Sequence, residues 1–153
     1  MIWFYTVTPI VDGQKKHRLS NTMVLADGKD YERNFDNSIN IDECTWFDCR
    51  QELSQLIYNQ SLDTLLYHYN KIRGGTYLPL IRLFQLGANR TMVIHPLIAR
   101  RLLRDMNHYL DDVIRNMKPF HIVIYKTLMH LLKVVSDEDG YLVVESEEVL
   151  NKK

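Results

Sequence analysis

The run FHIVIYKTLMHLLKVVS, residues 120–136, constrains this chain most. Wound as a helix it is apolar almost all round, with only Lys126, His130 and Lys133 forming a narrow polar strip. Such a helix is expected at the centre of a helical body rather than on its surface, and Leu128 and Leu132 are expected to be buried. Asp137-Glu138-Asp139-Gly140 breaks the run, and Tyr141-Leu142-Val143-Val144 then reads as a strand.

The N-terminal quarter has a different rhythm. Ile2 to Val11 is rich in aromatic and β-branched residues and is followed by Asp12-Gly13. A second apolar run, Thr22-Met23-Val24-Leu25, precedes Asp27-Gly28, and Tyr31, Arg33 and Phe35 then alternate with polar neighbours. Asp-Gly between such runs marks tight hairpins, because the turn needs positive φ. A three-stranded antiparallel meander is expected over 2–11, 16–26 and 29–35.

From residue 45 the period becomes helical. Thr45 with Asp48 fits a capping box, and Trp46, Cys49, Leu53, Leu56 and Ile57 follow on one face. On that assignment Cys44 and Cys49 occupy the two positions of a hydrophobic staple, a structural use that outweighs metal binding at this spacing. Ser61 is expected to cap a second helix, ended by Gly74-Gly75. A short apolar helix follows to Leu86, with Pro79 in its first turn. Pro96 suits the start of a fourth, over 95–117, whose stripe runs from Ile98 to Met117. The expected class is therefore α+β: a β-meander (1–36), a mainly helical body of about five helices (45–136), and a final strand (140–145) returning to the sheet. Residues 146–153 read as a solvated tail, and the 153 residues suit a single domain.

Charge limits the function classes. Lys plus Arg and Asp plus Glu number 19 each, so no global field gathers nucleic acid or acidic lipid, and a DNA mimic is excluded. No apolar stretch is long enough to span a membrane, and MIWFYTVTPIV lacks the features of a secretory leader. The expected location is the cytoplasm, that of the host if the source is viral. Frequent Asn, Ile, Tyr and Lys match the AT-rich coding of many phages, viruses and low-GC bacteria.

Two constellations suggest chemistry. Arg100, Arg101 and Arg104 crowd the first half of the 95–117 helix, and with Lys15, Lys16 and Arg18 they would form a nucleic-acid or anion-binding patch. Asp105, Asp111 and Asp112 mix into the same face, and Arg101 with Asp105 or Asp111 with Arg115 could pair along it. That mixture favours a solvated face. His95, His108 and Arg104 are the only set that could act as acid, base and phosphate clamp in a metal-independent nuclease. There is no phosphate-binding loop, dinucleotide fingerprint, zinc motif or nucleophile elbow. No catalytic residue, metal ligand or cofactor is assigned. The expected function is non-enzymatic binding of another macromolecule, a protein before a nucleic acid. It suits a phage, virus or mobile-element accessory factor that inhibits or modulates a host protein machine.

Overall fold

A computed structural model describes residues 1–10, 22–61 and 91–146. Along the chain they form β1 (Ile2–Pro9), β2 (Thr22–Val24), β3 (Asp30–Ile41), α1 (Glu43–Ser61), β4 (Met92–Ile94), α2 (Pro96–Asn116), α3 (Pro119–Glu138) and β5 (Tyr141–Ser146). The class is α+β, with an antiparallel sheet that takes in both the N-terminal strand and β5. The described residues contain three helices, not about five. The two expected between Ser61 and Leu86 fall outside them, and Ser61 itself belongs to α1 rather than opening a second helix.

The strand order is β2-β3-β1-β5-β4. The expected meander is therefore corrected: β1 pairs with β3 and β5, not with β2. Residue chemistry explains the placement. β1 is buried on both faces for most of its length, as suits a central strand, whereas the short, half-exposed β2 sits at an edge. The Asp27-Gly28 hairpin forms as expected, with Gly28 at φ 77° and Asp27 accepting from the Lys29 N–H (3.0 Å) and the Tyr31 hydroxyl (2.6 Å). β3 runs six residues past its expected end at 35, reaching Ile41 opposite Ile2. Its regular alternation is lost on the way. Tyr5 faces Ser38 and Thr6 faces Asn34, so residues 35–37 are looped out of the ladder.

Alternation along β1 makes two cores. Ile2 and Phe4 point to the helices, where Phe4 meets Trp46 at 4.9 Å beside Leu53, Leu102, Met106, Leu128 and Val144. Tyr5 and Val7 point the other way and cluster with Tyr31 and Val143. Leu128 and Leu132 are buried, as expected. α3 packs on the sheet and on α2, however, and keeps an exposed side of Phe120, Val123, Lys126, His130 and Lys133. Among the described residues its main neighbours are one helix, α2, and the sheet strands β1, β3 and β5.

α1 starts earlier than Thr45. Asp42 caps it, accepting from the Thr45 N–H (2.8 Å) and hydroxyl (2.6 Å). Those hydrogen bonds hold the Asp42 carboxyl below its usual range. The shift turns Cys44 out to solvent while Cys49 stays buried, so the cysteine staple does not form.

Candidate functional site

The arginine-bearing helix is α2, and its start is built by three residues. His95 stands at the N-cap, its Nδ1 accepting the Leu97 N–H at 3.1 Å, and Pro96 supplies the first helical φ. The stripe Ala99, Leu102, Met106, Tyr109 and Val113 is buried, which turns Arg101, Arg104, His108, Asp111 and Arg115 outward.

Of the six cations expected to form one patch, Arg100, Arg101 and Arg104 lie among the described residues. Lys15, Lys16 and Arg18 lie outside those residues. Arg100 reaches across to the end of α3, donating to Ser136 Oγ (3.1 Å), the Ser136 carbonyl (3.2 Å) and Asp139 Oδ1 (3.4 Å). A cation at a helix C-terminus meets the negative end of the dipole and carbonyls with no partner inside the helix. Arg100 is thus a tie between α2 and α3. Arg101 and Arg104 remain on the outer surface, in no ion pair among the described residues.

The acids are also redistributed. Asp105 is only 4% exposed and sits under the helix, near the Tyr125 hydroxyl, rather than beside Arg101 in solvent. That hydroxyl donates to the Met106 carbonyl (2.7 Å), and burial, then the Asp105 charge, raises its pKa. Arg115 pairs with Asp112 (3.1 Å) and takes only the backbone carbonyl of Asp111 (3.3 Å).

The nuclease set falls apart on distance. His95 and His108 are separated by about 20 Å of helix axis, at 1.5 Å per residue, so they cannot serve one phosphate. His108 lies edge-on against Tyr109 at 5.0 Å. His121 is buried with Nδ1 3.2 Å from Glu52 Oε1, and the same oxygen accepts the Lys118 N–H (2.7 Å), joining α1 to the start of α3. Cys49 is pushed up to about 12, first by burial and then by the Glu52 charge, the reverse of an activated thiol. Among the described residues no three His, Cys, Asp or Glu side chains converge to hold a metal.

One cluster escapes sequence reasoning. Glu145, expected as the last residue of the final strand, is fully buried on the sheet face away from the described helices and accepts the Tyr5 hydroxyl at 2.6 Å. Burial raises the Tyr5 pKa, with the Glu145 hydrogen bond and charge adding to it, and the Arg33 guanidinium opposes them. The available signal was strand parity, which puts residues 141, 143 and 145 on one side.

Comparison with protein-family models, with curated proteins and with solved structures finds no match.

Proposed function

We propose that this single-domain chain is a small non-enzymatic binding protein whose partner is another protein. Phages, viruses and mobile elements use such accessory factors to inhibit or modulate a host protein machine. The observation that carries this reading is an apolar end on the α2–α3 hairpin. Phe120 and Val123, three residues apart on α3, are 62% and 58% exposed, and Ile114 in the last turn of α2 is 45% exposed. Large apolar side chains gathered at one end of a neutral protein favour a protein surface over a phosphate backbone. No helix among the described residues is long and apolar enough to cross a membrane.

A nucleic-acid-binding regulator is the second reading, supported by the outward Arg101 and Arg104. Among the described residues, Arg100 is engaged at the α3 end, while Arg101 and Arg104 stand one turn apart on the outer surface.

The test is cross-linked capture from cells of the source or its host, with wild type beside two charge variants. A protein captured by wild type and by Arg101→Glu/Arg104→Glu, but lost with Phe120→Asp/Val123→Asp, is the expected result. Nucleic acid recovered instead, and lost only with the arginine variant, would reverse the order of the two readings.

A further inference from the structure

The outer side of α2 carries charges that its own helix leaves unmet. At about 100° per residue, Arg101, Arg104, His108, Asp111 and Arg115 form one exposed ridge. Arg115 pairs with Asp112, Arg100 beside the ridge is engaged by Ser136 and Asp139, and Asp105 is buried. Among the described residues, Arg101, Arg104 and the Asp111 carboxylate are left without a partner. The acid lies about 10 to 15 Å along the axis from the two arginines, at 1.5 Å per residue. That exceeds the one-turn spacing at which side chains pair on a helix.

A reversed second copy removes the separation. With the two helices antiparallel and the two-fold axis at Asn107, Asp111 of one copy falls level with residue 103 of the other, between Arg101 and Arg104. Symmetry makes this contact twice. The apolar flanks agree. Ile98 and Ile114, 36% and 45% exposed, stand on opposite flanks of one ridge. Reversal puts one beside the other on the same flank, about 3 Å apart along the axis. The exposed charges beside the two ends, Lys118 after α2 and Glu138 next to the Arg100 tie, are opposite in sign, so reversal matches them as well. The chain has formal net charge +0 at pH 7, so no long-range repulsion opposes the approach.

We propose that α2 pairs with α2 of a second copy of this chain, antiparallel about Asn107, with Asp111 of each copy between Arg101 and Arg104 of the other. A uniformly acidic or basic partner would satisfy one half of the ridge and repel the other half. The ridge shares only Ile114 with the apolar end of α2–α3, and the pairing does not rest on the function proposed above. One helix pair is smaller than a standard interface, so the dimer is weak, with a Kd on the order of 10⁻⁴ M.

Sedimentation equilibrium of the full chain, from about a tenth of that concentration to about ten times it, reads the association. Wild type should dimerise, and less so as salt rises. Arg101→Glu/Arg104→Glu sets acids against Asp111, and Asp111→Arg sets a cation against the arginines. Each variant alone should associate at least about tenfold more weakly. An equal mixture of the two should dimerise again, because each supplies the charge that the other lacks. Circular dichroism checks that both are folded. Should a reversed variant not fold, Arg101→Gln/Arg104→Gln takes its place and should weaken the dimer and flatten its salt dependence. A chain that stays monomeric throughout overturns the proposal. So does a dimer unmoved by the folded variants, or a mixture that associates no better than its components. A dimer lost only with Phe120→Asp/Val123→Asp would assign the contact to the apolar end instead.

Discussion

Thr6 carries a hydroxyl that is fully buried on β1 without a hydrogen-bond partner. Desolvating such a group without a partner costs about 1–3 kcal/mol, and valine has nearly the same shape. Thr6→Val should therefore stabilise the fold by about 1 kcal/mol, read as a higher urea midpoint at unchanged slope. A lower midpoint would mean that the hydroxyl is satisfied. The two cysteines differ as sharply. A maleimide should label Cys44 quickly in the native protein and reach Cys49 only after denaturation, since Cys49 is buried and its thiolate forms only near about 12. Two adducts by mass in the native state would contradict the burial of Cys49. This difference was hidden in the sequence because Asp42 and Thr45 are both good caps. The choice between them is made by the end of β3, where Ile41 pairs with Ile2 and leaves Asp42 free to start the helix. Glu145 was hidden for a related reason: a charged residue at a strand end reads as solvated until the opposite strand offers it a tyrosine.

At the level of elements, the α3–β5 junction shows how tightly the layers meet. Asp139 closes α3 in the left-handed region at φ 50°, a position more often given to glycine. Gly140 serves a different need, since a Cβ there would overlap the Val7 carbonyl oxygen of the neighbouring strand. Gly140→Ala should destabilise by about 1–3 kcal/mol, as forced overpacking does, measurable by thermal or urea unfolding. An unchanged midpoint would show that β5 can slide away from β1. Long periodic elements were readable in advance: α2 and α3 lie within two residues of their expected bounds. β4 was not, because Met92–Ile94 is too short for an alternating pattern to show. Nor was the order of strands. Hairpin signals tell which runs turn back but not which later strand inserts beside them, and β1 gains β3 and β5 through long-range pairing. The solvated side of α3 was concealed by Phe120 and Val123, apolar residues that a helical wheel assigns to an interior.

For the whole molecule, charge balance is the strongest guide to partners. With 19 cations against 19 anions, duplex DNA or RNA should bind no better than roughly 10⁻⁴ M near physiological salt. Arg101→Glu/Arg104→Glu should leave that weak signal unaltered. A micromolar complex that falls steeply with salt and vanishes in the variant would promote the nucleic-acid reading. The arginine cluster was legible as a run in the sequence, yet its meaning was not. Arg100 could be assigned only when the α3 terminus was seen beside it. The sheet order has a further consequence, in time rather than space. Tyr5 and Glu145, on adjacent central strands, lie 140 residues apart in the chain. At ribosomal speeds of about 5–20 residues per second, β1 waits roughly 7–30 s for that neighbour to be made. Meanwhile an aromatic, β-branched segment has an open edge that another nascent chain can occupy. Yield in the cell should therefore depend on how crowded the polysome is and on chaperone supply, more than on the stability of the finished fold.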